Sequence, residues 1–88
     1  MEALPRILID WNDAWGPDLY DLGLPCSVES FKQHGISVRE GLKIRICGDE
    51  LEADAIVVLH DYNNHKFFCT KVVEGTMINT PLPRLDSI

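Results

Sequence analysis

The sequence predicts a mainly β protein: a small five-stranded antiparallel barrel, SH3-like or OB-like, with one short helix. Three observations support this fold class. The chain has 88 residues, which is enough for one domain. Its apolar runs are short and alternate with polar residues, as they do in half-buried strands. Turn-forming residues separate these runs at short intervals, which is typical of small barrels.

The first predicted element is a strand over residues 6–11, built on the apolar run Ile7-Leu8-Ile9. Residues 12–25 follow and contain two glycines and two prolines, so we expect a long loop there. Loops of this length are uncommon in compact domains and often carry function.

A short helix is predicted over residues 28–34, with signals at both ends. Ser27 can act as the N-cap, because its hydroxyl can accept a hydrogen bond from the first turn. Cys26 and Phe31 occupy the positions of a hydrophobic staple around that cap. Gly35 can supply the left-handed residue that ends the helix.

The remaining predicted strands cover residues 42–47, 51–59, 66–73 and 76–80. In the second of them, one face carries Leu51, Ala53, Ala55, Val57 and Leu59. The other face begins with acids and continues with Ile56 and Val58. A strand that changes from one buried face to two bends into a closed interior, which favours a barrel.

Two turns connect these strands. Gly48-Asp49 reverses the chain after the first of them, and residues 61–65 form the next hairpin turn. Asn63 and Asn64 fit that turn because asparagine tolerates a positive φ angle.

We expect residues 1–80 to form a single domain and residues 81–88 to form an extended tail, since two alternate prolines begin the tail. The segment 35–44, Gly-Ile-Ser-Val-Arg-Glu-Gly-Leu-Lys-Ile, leads into the predicted meander. It resembles the segment that leads into many small bacterial SH3-like barrels. This resemblance implies a fold and transfers no functional residue.

The charge balance narrows the range of partners. Fourteen acidic against eight basic residues give a net charge of −6, which argues against binding to nucleic acid or to an anionic membrane. Binding to a basic partner protein remains possible.

The start of the chain lacks a signal-peptide pattern, and the longest apolar run, residues 55–59, is far too short to span a membrane. We therefore expect a cytoplasmic protein without membrane contact.

Metal sites are not expected. Two cysteines and two histidines surround one predicted hairpin, but their spacing matches no common zinc motif; they are Cys47, His60, His65 and Cys69. A calcium loop counted from Asp10 fails, because its sixth position is Trp15 instead of glycine.

Catalysis is not expected either. Cys26 at a helix start is the best-placed nucleophile, yet its staple position indicates a packed thiol. Glu52 and Asp54 share a strand face, and such neighbours are usually a solvated edge. We expect a protein without cofactor and without enzymatic activity.

The most unusual segment is 10–21, which has four acids, no base and three of the seven aromatic residues. Tryptophan and tyrosine are enriched at binding hot spots, and an acidic rim speeds encounter with a basic partner. The predicted partner-binding residues are Trp11, Asp13, Trp15, Asp18, Tyr20 and Asp21. Alternatively, the two tryptophans cover the open end of the barrel while the aspartates form turns.

The sequence therefore favours a non-enzymatic protein-interaction domain of the bacterial cytoplasm, which binds a partner protein or itself as a homodimer. Two alternatives remain open. One is an acidic inhibitory or regulatory protein that mimics nucleic acid and binds a basic protein, with strong dependence on salt. The other is a small-molecule site in a pocket between two subunits.

Overall fold

The computed structural model describes residues 4–79, which form an open mixed sheet of seven strands and one helix. The elements are β1 (Arg6–Leu8), β2 (Ala14–Gly16), β3 (Leu19–Asp21), α1 (Pro25–His34), β4 (Lys43–Gly48), β5 (Leu51–Tyr62), β6 (His65–Val72) and β7 (Ile78–Asn79). The strand order is β1-β4-β5-β6-β3-β2, and β7 pairs with β5. The mainly β class with one helix is confirmed, whereas the predicted tail lies outside the described residues.

The predicted closed barrel of five antiparallel strands is wrong in its closure, its strand count and its strand directions. β1 runs parallel to β4, and β1 and β2 lie at opposite ends of the strand order. Side chains of α1 occupy the outer edge of β1. Ser27 Oγ donates to Leu8 O at 2.6 Å, Leu8 N donates to Ser30 Oγ at 3.1 Å, and His34 Nε2 lies 3.0 Å from Arg6 O. With this edge occupied, β1 cannot pair with β2 to close the sheet.

The predicted loop over residues 12–25 is also wrong, because it contains the β2–β3 hairpin. The connecting turn is Gly16-Pro17-Asp18-Leu19. Proline fixes the second position of this turn and Asp18 has a φ of 59°, which is the pattern of a type II turn. The hairpin joins the sheet through pairing of β3 with β6.

Helix α1 begins earlier than predicted. Leu24 is the N-cap residue and Pro25 follows it with a φ preset for the first helical turn. Ser27 therefore lies inside the helix and bonds Leu8 instead of capping, while Cys26 is exposed instead of forming a staple. The predicted end is confirmed: Gly35 has a φ of 65°, and its amide donates to Lys32 O.

The long strand β5 is the centre of the sheet, since it pairs with β4, β6 and β7. The predicted core face is confirmed at Ala53, Ala55 and Val57, which are buried, whereas Leu59 is 43% exposed. The predicted second buried face is not formed as expected, because Ile56 is exposed and Val58 is only half-buried. The β5–β6 turn at Asn63-Asn64 is confirmed, with φ angles of 51° and 65°.

The hydrophobic core lies on one face of the sheet beside α1, and its buried members are Ile7, Ile9, Leu22, Phe31, Ile44, Ile46, Ala53, Ala55 and Val57. Helix α1 has ten residues, and no helix within residues 4–79 is long and apolar enough to cross a membrane.

Candidate functional site: an exposed aromatic cluster

The structure separates the aromatic residues of segment 10–21 into two groups. Trp11 and Tyr20 are half-buried and pack against the core. Their rings meet edge to face with centroids 5.0 Å apart, and Trp11 Nε1 donates to Gly48 O at 2.7 Å. Trp11 therefore packs against the core, whereas the alternative interpretation expected both tryptophans to cover the open end of a barrel.

Three of the four aspartates in this segment shape turns. Asp10 Oδ1 accepts from Asn12 N, and Asp21 Oδ1 accepts from Gly23 N at 2.6 Å. Asp18 holds the left-handed position of the β2–β3 turn. Asp13 is half-buried, and its carbonyl accepts from Asp21 N at 3.1 Å. The assignment of Asp13, Asp18 and Asp21 as partner-binding residues stays a prediction.

Trp15 is the centre of a second aromatic group, which we call the aromatic cluster: Trp15, His60, Tyr62 and Phe67. The Trp15 ring centroid lies 4.7 Å from Phe67, 5.3 Å from Tyr62 and 5.6 Å from His60. His60 and Phe67 also meet at 5.4 Å. Each ring therefore contacts at least one other, and Trp15 contacts all three.

Sequence reasoning missed His60, Tyr62 and Phe67, although a signal for them was present. The predicted hairpin turn at Asn63-Asn64 implies that residues flanking it pair in register. Tyr62 indeed pairs with His65, and His60 with Phe67. Because strand residues two apart share a face, the turn alone would have placed these three rings together.

The aromatic cluster lies on the face of the sheet opposite the core. Val57 and Ala55 of β5 point into the core, so the alternation of β5 directs Val58, His60 and Tyr62 to the other face. The cluster also lies at the end of the sheet that β4 does not reach. β4 pairs with β5 only as far as Ile56, whereas β6 accompanies β5 to Tyr62.

Acidic groups border this face. Cys69, which pairs with both Val58 and Asp21, is fully buried. Burial raises the pKa of the Cys69 thiol to about 11, and the carboxylates of Asp21 and Asp13 add to that increase. The thiol is therefore protonated at neutral pH, and the carboxylates of Asp21 and Asp13 lie near Cys69.

Of the other candidate groups, Cys47 and the acid pair are held in structural contacts, whereas Cys26 and His65 are exposed. Burial also raises the pKa of Cys47, and residues 4–79 contain no group of three His, Cys, Asp or Glu side chains that could hold a metal ion. Glu52 forms ion pairs with Arg6 and Arg45, and Arg45 also binds Asp54 at 2.6 Å. The predicted acid pair thus belongs to an ion-pair network.

Comparisons with known proteins do not place the chain in a family: no family model matches it, and neither a curated protein nor a solved structure gives a significant match. Its function must therefore be inferred from its own residues.

Proposed function

We propose that this protein is an interaction domain that binds a partner protein through the aromatic cluster. The observation that supports this most strongly is the exposure of mutually packed rings at one end of the sheet. Tyr62 is 53% exposed and Trp15 is 38% exposed. Large aromatic side chains that remain accessible are the residues that most often dominate the binding energy of protein interfaces.

The spacing of the rings favours a macromolecule over a small ligand. Their centroids are 4.7–5.6 Å apart, so neighbouring rings touch and leave no space for a ligand between them. The cluster offers a continuous, preformed surface. Because its rings are already held by each other, little side-chain freedom is lost when a partner covers them.

Charge favours a protein as that partner. Asp21 lies on the same face as the cluster through its pairing with Cys69, and Asp13 lies near that thiol. The chain as a whole carries −6. The net negative charge of the chain disfavours a nucleic acid as the partner, whereas a neutral or basic protein surface would be tolerated or attracted.

The test replaces Trp15 by alanine and compares it with a matched variant, Val28→Ala. Val28 is also exposed, at 41%, but lies on α1. Loss of a hot-spot tryptophan weakens a complex by about 30-fold or more. We expect cross-linking and mass spectrometry to recover the same partner with the wild-type protein and Val28→Ala, and to lose it with Trp15→Ala.

Sedimentation of the same three proteins shows whether the partner is a second copy of the chain. In that case the wild-type protein and Val28→Ala sediment as dimers and Trp15→Ala as a monomer. A folded Trp15→Ala variant that keeps its partner or its dimer would refute the proposal.

A further inference from the structure

One edge of β5 changes from paired to open along its length. At Val57 this edge is still occupied: Val57 N donates to Leu42 O at 2.9 Å, and Gly41 N donates to Val57 O at 2.8 Å. Backbone groups of alternate residues in a strand point to the same edge. The N–H and C=O groups of Leu59 and Asp61 therefore point to this edge too.

The backbone N–H and C=O groups of the even-numbered residues of β5 point to the opposite edge of the strand. Asp54 N donates to Thr76 Oγ1 at 3.0 Å, and Asp54 O accepts from Val73 N at 2.8 Å. This is the side on which β6 and β7 lie. Within residues 4–79, neither a strand nor a hydrogen bond occupies the other edge at Leu59 and Asp61.

Such an edge is a template for another strand. Proteins usually protect an open edge with charged side chains, proline or a covering segment. Within the open segment Leu59–Tyr62, Asp61 is the only acidic residue and no lysine or arginine is present. Leu59 and Tyr62 are exposed at 43% and 53%. The edge offers two donors and two acceptors, with an apolar side chain on one face and the rings of the aromatic cluster on the other.

From this arrangement we propose that an extended segment of the partner protein adds to the sheet as a strand beside Leu59–Tyr62. The inference rests on the proposed function, because it names the form in which the partner meets the aromatic cluster. Pairing with Leu59 and Asp61 supplies backbone hydrogen bonds, while side chains at alternate positions contact Leu59 on one face and Tyr62 on the other.

A second copy of this chain fits the edge less well than a separate peptide. If Leu59 pairs with Asp61 of a second copy, the Asn63-Asn64 turn of that copy lies opposite Val57, where Gly41 and Leu42 already bond. If Asp61 pairs with its own counterpart, two carboxylates face each other, which is unfavourable. A separate segment has neither problem, provided that it ends or bends away beside Val58.

The first experiment measures amide hydrogen exchange in the intact protein, with and without an alternating threonine–valine peptide that carries terminal lysines. In the free protein, the Leu59 and Asp61 amides should exchange rapidly, while those of Val58 and His60 are protected by β6. At saturating peptide, exchange at Leu59 and Asp61 should slow by about tenfold or more. Protection of these two amides in the free protein, or no slowing with peptide, would overturn the inference.

The second experiment changes only the peptide, so that protein folding cannot confuse the result. N-methylation of the residues whose N–H groups face β5 should weaken binding by about tenfold, since each methyl group removes a donor and blocks the edge. N-methylation of the alternate residues is the matched control and should change binding by less than about twofold. Equal effects of the two peptides would exclude strand addition.

A protein variant separates this inference from the proposed function. Leu59→Pro removes the outward N–H group and leaves all four rings of the aromatic cluster in place, while Leu59→Ala keeps that N–H group. Folded Leu59→Pro should lose peptide binding, and Leu59→Ala should keep most of it. If Trp15→Ala loses the partner while Leu59→Pro and the methylated peptides bind normally, strand addition is wrong and the proposed function stands.

Discussion

Gly48 shows how a single residue sets the position of β1 and Trp11 against the sheet. A Cβ atom at this position would lie 2.6 Å from Ile9 O, and the backbone has a φ of 158°. The indole of Trp11 also donates to Gly48 O. Glycine is therefore required here because the chain that follows β1 passes directly over the end of β4.

Replacing Gly48 by alanine should destabilise the protein by about 2 kcal/mol or more, since backbone atoms must move to remove the overlap. Gly16→Ala is the matched control: no atom lies within 4 Å of its added Cβ, so its effect should stay within about 0.5 kcal/mol. Urea unfolding followed by circular dichroism measures both. Equal stability of the two variants would contradict the steric argument.

At the scale of single residues, the sequence could not distinguish Trp11 from Trp15. Both lie in one acidic segment, four positions apart, yet one bonds Gly48 and the other packs on Phe67. Their separation depends on the β2–β3 hairpin, which turns Trp15 to the face opposite the core. Residue type predicted a binding surface, but only strand register shows which tryptophan is accessible.

Helix α1 acts as a cover for the open edge of β1. Its residues 27, 30 and 34 follow a helical face, and each places a polar side-chain atom on an outward backbone group of β1. The helix thus supplies bonds that a neighbouring strand would otherwise supply. These hydrogen bonds from α1 explain why a strand as short as β1 is stable at the end of the sheet.

Ser27→Ala should lower the free energy of unfolding by about 1–2 kcal/mol, because Ser27 is fully buried and its loss leaves Leu8 O with only the long 3.9 Å contact from Cys26 Sγ on that edge. Ser37→Ala is the control, since Ser37 is exposed after the helix and should change stability by less than about 0.5 kcal/mol. Thermal and urea unfolding provide the comparison. A Ser27→Ala variant as stable as Ser37→Ala would refute the edge-covering role.

At the scale of elements, strands marked by an apolar run or an alternation could be predicted, whereas β2 and β3 could not. The alternation in residues 42–59 extends over many positions, so β4 and β5 can be predicted from the sequence. β2 and β3 have three residues each, which is too few for a period to be visible. The parallel pairing of β1 with β4 depends on a distant contact that local pattern does not encode.

At the scale of the whole molecule, closure of the sheet was the property that sequence could not decide. A barrel and an open sheet share strand lengths, turns and alternation, and they differ only in whether the end strands meet. Here α1 occupies the outer edge of β1, and β1 and β2 lie at opposite ends of the strand order. The core and the aromatic cluster therefore occupy opposite faces of one continuous sheet.

This continuity predicts that the two faces unfold together, as small single domains usually do. β5 and β6 run through both regions: Val57 and Thr70 are fully buried, and His60 and Phe67 lie a few residues farther along the same strands. In Trp15→Phe, fluorescence reports on Trp11 at the core; in Trp11→Phe, it reports on Trp15 in the aromatic cluster. Within each variant, the urea midpoint from fluorescence should coincide with that from circular dichroism. An earlier fluorescence midpoint for Trp15 alone would mean that the aromatic end melts as a separate unit, and the two faces would then not form one cooperative structure.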